Sequence, residues 1–433
     1  MELKIRIREI NFFITINTQL MKLKSLSLFT LIVLCYTVSI AQSKQLINIG
    51  QSNTIYSKIL KEERTIWVQV PESVNAKTNH PNKYPVVYVL DGGVHFLSVC
   101  SVINQLSPSS VPEMIVVGIG NSENRTRDLS PTKVKEARGS SEWVKDSGGG
   151  ERFTDFIAQE LIPYIDNTYP TANNKTFIGH SFGGLLVVNT LINRPELFNN
   201  YIAIDPSLWW DNEVLTGKIA DRLPSEKYKN KSLFLSMANP LPQDTEKDIN
   251  VLIKDNSMST EGLRAIHRFS KTVSEATNSS LDFNYKYYEN EDHGTIPLIS
   301  IYDGMRFLFP WYKMSGKLVD IIKNPNTTAE KLKNAFNTRF DMLSNNLGYQ
   351  VYPEEEMLNN LGYMFMSNSP KKSFGLLEMA IKYYPKNANG YDSMSDYYVS
   401  QNDFQNAILY SEKALAISGS DYHKNKLQKL KNK

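Results

Sequence analysis

Short apolar runs separated by polar, turn-forming clusters dominate the first two thirds of the chain, and they alternate with amphipathic stretches. The runs that predict strands are Thr65–Val70, Val86–Leu90, Met114–Ile119, Thr176–Gly179, Tyr201–Ile204, Ser232–Met237 and Phe283–Tyr288. Between them Arg152–Asn167, Leu185–Asn193 and Glu261–Glu275 carry apolar residues at helical spacing. Several strands are apolar almost throughout, the pattern of a strand covered on both faces. From about Gln45 to Ser315 this alternation predicts an α/β fold, a mostly parallel sheet covered by helices.

After Pro310 the helical period continues without strand signals, so a boundary is expected near Ser315. Within Leu361–Pro385 a Leu361-Gly362 pair precedes Phe365, Ala380 and Pro385; Tyr391–Ile417 offers Tyr391, Tyr398, Ala407 and Ala414 in corresponding places. The pair resembles a tetratricopeptide array, whose repeat is about 34 residues. The resemblance implies an all-α helical-repeat domain over residues 316–433, able to receive a protein partner.

The N-terminus changes the picture of the first 41 residues. Leu28–Val38 is apolar, preceded by Lys22 and Lys24 and followed by small residues at Ser39 and Ala41, the order of a secretory signal. It is short for a membrane span. Cleavage after Ala41 is expected, with Met21 as the natural start, Met1–Leu20 as an extension, and a periplasmic or extracellular product. Cys100 would then be the only cysteine, which excludes an intramolecular disulfide. With 433 residues and 41% hydrophobic content the chain can bury one large core and a smaller second one. The net charge of +3 is spread without long like-charge blocks and gives no reason to expect nucleic acid.

The chemistry centres on Gly179-His180-Ser181-Phe182-Gly183, a G-x-S-x-G between an apolar strand and a helical run. Such a strand-to-helix turn projects the serine hydroxyl above the sheet edge, and its glycines make room for neighbouring backbone. Ser181 is therefore the expected nucleophile. A serine needs a base, and His293 stands after the late strand Phe283–Tyr288, downstream of the nucleophile as required. The acid is expected in the loop Ala238–Asp248, with Asp244 preferred, Glu246 and Asp248 as alternatives, and a dyad without an acid left open. Asp292, beside the histidine, is expected to point elsewhere. For the oxyanion, the backbone N–H groups of Phe182 and Gly93, with Gly92 next, are the expected donors. Trp209 and Trp210 follow the strand Tyr201–Ile204 and are expected to line a pocket, one of them as core. Asp91 and Arg127 lie on loops at the same sheet edge, and an arginine there would hold an anionic or polyhydroxylated substrate. No cofactor or metal is expected; Ser147–Gly150 lacks the strand and lysine of a phosphate loop.

Leu90-Asp91-Gly92, Asn124-Arg-Thr-Arg-Asp-Leu-Ser-Pro131, Gly179-His-Ser-Phe-Gly-Gly-Leu185, Pro206-Ser-Leu-Trp-Trp210 and Asp292-His-Gly294 together resemble the esterase family that holds esterase D, enterochelin-type siderophore esterases, feruloyl esterases and mycolyltransferases. The resemblance covers about Ile55 to Phe309. It implies the α/β-hydrolase fold over residues 42–315, Ser181 as nucleophile, His293 as base, and a carboxylic ester as substrate, with the siderophore esterase-like subgroup nearest by motif. Acyl transfer to an acceptor other than water would use the same residues, and an inert, repeat-bearing interaction protein is the reading from another class. The chain departs from the family at the acid: members often carry a carboxylate immediately after the strand, where this chain has Ala238-Asn-Pro-Leu-Pro242.

Overall fold

The structure, a computed structural model, describes residues 49–75, 83–121, 123–223, 225–242, 244–277 and 279–432. The expected signal segment and the start at Met21 lie outside the described residues. The strands are β1 (Gln51–Ser57), β2 (Glu62–Gln69), β3 (Tyr84–Val89), β4 (Ile115–Ile119), β5 (Thr171–His180), β6 (Asn200–Ile204), β7 (Ser232–Ala238) and β8 (Asp282–Tyr288). They form one sheet in the order β1-β2-β4-β3-β5-β6-β7-β8. The two pairings of β2 are antiparallel; the pairings from β4 through β3 to β8 are parallel. All seven predicted strands are present, and β1 is an eighth that the sequence pattern did not show. Its polar, exposed register on the sheet margin gives it no apolar run to read.

The helices of this first part of the chain are α1 (Gly92–Leu106), α2 (Arg125–Leu129), α3 (Gly150–Phe156), α4 (Ile162–Thr168), α5 (Phe182–Asn193), α6 (Trp210–Arg222), α7 (Ile249–Leu252), α8 (Glu261–Glu275) and α9 (Ile296–Leu308). A π-helical turn, Ile157–Leu161, joins α3 to α4, so the predicted helix Arg152–Asn167 is continuous in path but irregular in its middle. The period-2 geometry of the strands divides their side chains between two cores. Val86, Tyr88, Phe177, Tyr201, Leu233 and Leu235 join α5 and α8 on one face. Val87, Val89, Ile178, Ile202 and Phe234 join α1 and α9 on the other. Fully apolar strands such as β3 and β4 are thus explained: both of their faces are buried.

Beyond the sheet come α10 (Gly316–Lys323), α11 (Ala329–Leu347), α12 (Glu355–Met366), α13 (Pro370–Tyr383), α14 (Ala388–Ser400), α15 (Phe404–Ser418) and α16 (Asp421–Lys431). This all-helical region buries a core of its own around Leu318, Leu332, Phe336, Leu358 and Leu376. It meets the sheet at the edge where the parallel strands begin: Asn174 Nδ2 on β5 donates to the Asn346 carbonyl at 3.4 Å, and Arg339 donates to the carbonyls of Trp311 and Tyr312. The opposite edge, where those strands end, is left open to solvent and to a ligand. Among the described residues no helix is long and apolar enough to cross a membrane.

Candidate active site

Three residues in the left-handed backbone region mark that open edge. Asp91 after β3 has φ 51°, Ser181 after β5 has φ 60° and Asp205 after β6 has φ 39°. Non-glycine residues avoid these angles, and a structure that holds them must over-determine them. At Ser181 it does so with Ser181 N donating to Ile204 O at 2.9 Å and Ser181 O accepting from Ser207 N and Leu185 N, each at 3.0 Å. The glycines around it are required for a steric reason. A Cβ on Gly179 would stand 2.3 Å from the Gly183 carbonyl, and one on Gly184 2.9 Å from Pro206 Cβ. The strand therefore turns straight into α5 with the Ser181 side chain outside both, its Oγ 3.4 Å from Ser207 Oγ.

His293 lies on the loop between β8 and α9, with its ring Nδ1 2.6 Å from Asp205 Oδ2. The other carboxylate oxygen of Asp205 accepts from Ala238 N at 3.0 Å, and Asp205 N donates to Ser236 O at 2.9 Å. Asp205 is therefore clamped between the ends of β6 and β7, and the imidazole is oriented by a short charge-assisted bond. The expectation that Asp244 holds the histidine is corrected here: the partner is Asp205. The loop after β7 turns aside because Asn239 stitches it: Asn239 N donates to Glu291 O at 2.9 Å, and Asn239 Oδ1 accepts from Leu241 N at 3.0 Å. That leaves Asp244 exposed, while Glu246 and Asp248 cap their own local turns. Asp292 also turns away. It accepts from Gly294 N and Thr295 N at 2.7 and 2.9 Å, and these backbone bonds hold its carboxyl below the usual range.

His180 sits beneath His293 with ring centroids 4.4 Å apart, and His95 meets His180 edge-on at 5.4 Å. Burial, reinforced by the charges of His293 and His95, pushes the His180 imidazole down to about 3, and burial likewise lowers His95. A neutral His180 places no second cation against His293 when the latter takes up a proton.

Ser181, Asp205 and His293 line one cavity of about 410 Å³, together with Phe182, Trp143, Trp209 and Arg138. Trp143, Phe182 and Trp209 meet at centroid distances of 6.0 to 6.5 Å and form its aromatic wall. Trp210 is fully buried behind them, its Nε1 donating to Thr132 Oγ1 at 3.0 Å, so it is the core member of the pair. Asp91 and Arg127, expected in the pocket, have other work. Asp91 receives Arg125 Nε and Nη2 at 2.8 and 3.0 Å and lies against the elbow, within 3.3 Å of where a Gly183 Cβ would be. Arg127 is bound by Glu62 and by Asp128, which also receives Arg64; the four form a partly buried ion network in which burial, opposed by the bonds and charges of the two arginines, holds the Asp128 carboxyl above the usual range. Gly93 is exposed in the first turn of α1, where amides have no intrahelical acceptor, and Phe182 N opens α5 in the same way. Asp205, Trp143 and Arg138 escaped the sequence reading. Asp205 was legible in principle, as a carboxylate at the end of the strand next to the nucleophile's and in the chain order Ser, Asp, His.

A parallel sheet with a strained serine at the nucleophile turn, and a histidine held by a carboxylate in the same cavity, defines an α/β-hydrolase. Residues 57–304 match the family described as "Putative esterase", and the chain belongs to it. It is similar to the ferri-bacillibactin esterase BesA of Bacillus subtilis, 30% identical over 210 residues, 43% of this chain and 71% of the relative. It is also similar to the siderophore triacetylfusarinine C esterase of Aspergillus fumigatus, 30% identical over 281 residues, 57% of this chain and 89% of the relative. Among solved structures, an IroE-like serine hydrolase from Shewanella oneidensis superposes with a TM-score of 0.61 at 28% identity, covering 77% of this chain and 99% of its own. An uncharacterised protein from Capnocytophaga ochracea shares the fold over 89% of this chain and 100% of its own, at a TM-score of 0.58 and 19% identity. The protein is a carboxylic ester hydrolase.

Proposed function

We propose that this esterase works through an acyl-enzyme on Ser181, with His293 as general base and Asp205 as the acid that orients it. The observation that carries the reading is the 2.6 Å bond from Asp205 to His293 Nδ1, in a cavity that also holds the strained Ser181. With Nδ1 occupied, Nε2 is the nitrogen left to take the Ser181 proton as Oγ attacks the ester carbonyl. The imidazolium then protonates the departing alcohol, and water, activated by the same nitrogen, releases the acid. Phe182 N–H and Gly93 N–H serve as oxyanion donors, each in the first turn of a helix whose N-terminus faces the sheet edge. The aromatic wall suits a compact ester with an aromatic acyl part, and relatives named as siderophore esterases support a siderophore-type ester. Export is supported by the charged, apolar and small-residue order of Lys22 to Ala41. Helices packed in consecutive pairs beyond Ser315 support the tetratricopeptide-like reading of residues 316–433 as a partner surface. Covalent trapping of Ser181 by a fluorophosphonate tests the mechanism.

A further inference from the structure

We propose that Arg138 forms an anion-recognising subsite at the rim of the catalytic cavity, selecting esters whose aromatic acyl part carries a negative charge. The proposal rests on the esterase reading and adds to it the charge of the substrate. Arg138 sits at the tip of a tight hairpin turn: Ala137 and Ser140 exchange backbone hydrogen bonds at 3.0 and 3.1 Å, and Arg138 and Gly139 take φ 49° and 74°. Two left-handed residues in sequence define a primed turn, where a bulky non-glycine residue is disfavoured. The turn aims the side chain at the cavity. Its guanidinium lies 3.9 Å from the Trp209 ring centroid, and its Nε donates to Glu261 Oε2 at 3.0 Å. The ring contact holds the guanidinium beside Trp209, and Glu261, at the start of α8, binds one edge of it.

The remaining N–H donors of Arg138 have no protein acceptor among the described residues. This separates it from the other arginines near the site, since Arg125 is bound by Asp91, and Arg64 and Arg127 by Glu62 and Asp128. Arg138 is also the only lysine or arginine among the described residues that line the cavity, whose other titratable members, Asp205 and His293, are bonded to each other. A structural ion pair does not account for the arrangement. The Arg138–Glu261 pair is well exposed, at 40% and 37%, and such pairs contribute little to stability. A planar cation with free donors, held beside an aromatic wall, matches a carboxylate or an ionised phenol on an aromatic acid.

The test uses two esters of 4-nitrophenol that differ in one charge, 4-nitrophenyl benzoate and 4-nitrophenyl 4-carboxybenzoate, with the full chain. The intact enzyme should prefer the carboxybenzoate. Arg138→Gln should lower kcat/KM for that ester by about tenfold, mostly through KM, and change the benzoate far less, as expected for loss of one charge-assisted hydrogen bond. Arg138→Lys should restore part of the preference, and raising the salt concentration should reduce it in the intact enzyme. Equal or neutral-biased turnover by the intact enzyme, or an equal loss for both esters in Arg138→Gln, overturns the subsite and leaves the esterase reading standing. Turnover of neither ester overturns both.

Discussion

Replacing Asp205 by Asn keeps the shape of the side chain and removes the charge that faces His293. In the folded protein Asp205 Oδ2 lies 2.6 Å from Nδ1, and Oδ1 accepts from Ala238 N at 3.0 Å. An Asn amide can keep one of these bonds as an acceptor, but its NH2 group then opposes the other donor. If the oxygen stays with Ala238 N, the amide nitrogen faces Nδ1 and favours the tautomer that carries its proton on Nε2, which cannot receive the proton of Ser181. The imidazolium formed during attack also loses its counter-charge. In serine hydrolases this combination costs about three to four orders of magnitude in turnover, or about 4 to 5 kcal/mol in the barrier. The assay is steady-state release of 4-nitrophenol from its acetate ester, with circular dichroism to verify folding. Asp244→Asn, an exposed loop change, should leave turnover within about twofold, since surface substitutions away from a network do little. A near-normal rate for Asp205→Asn, or a collapse for Asp244→Asn, would refute the reasoning.

Burial, helped by the neighbouring His293 and His95, pushes the His180 imidazole down to about 3 in the folded state, against 6.5 for a free imidazole. The unfolded chain therefore binds the extra proton first as pH falls, so stability should drop between about 6.5 and 3 and be flat above that window on this account. Thermal melting across pH should show this slope, reduced in His180→Gln; an unchanged slope would assign the acid sensitivity elsewhere. A chain ending at Lys317 should retain ester turnover with a lower melting temperature, because α11 contacts the edge of the sheet remote from Ser181 and His293. Inactivity of soluble truncated protein would instead make the helical region part of the catalytic unit.

Most strands were legible because β3, β4, β6 and β7 are buried on both faces, which leaves apolar runs. The margin strand β1 was not, since its residues answer to solvent on the outside and to backbone pairing within. Ser181 and His293 could be read because the elbow imposes a sequence pattern and because histidines are few. The acid was sought one strand too late. Asn239 diverts the loop where a carboxylate was sought, and Asp205 lay hidden as the last residue before the Pro206-Ser-Leu-Trp-Trp210 segment. For the arginines, Arg127 and Arg138 carry the same chemistry, and only the fold decides which meets Glu62 and which meets Trp209. That choice depends on contacts between residues 65 and 71 positions apart, beyond any local pattern.

The most direct test of the central claim is the site of covalent modification by a fluorophosphonate, read by intact mass and peptide mapping. One adduct per chain on Ser181, absent from Ser181→Ala and formed far more slowly in His293→Ala, is the predicted result, together with loss of ester turnover in proportion to labelling. An adduct on another residue, or full turnover in folded Ser181→Ala, would contradict it.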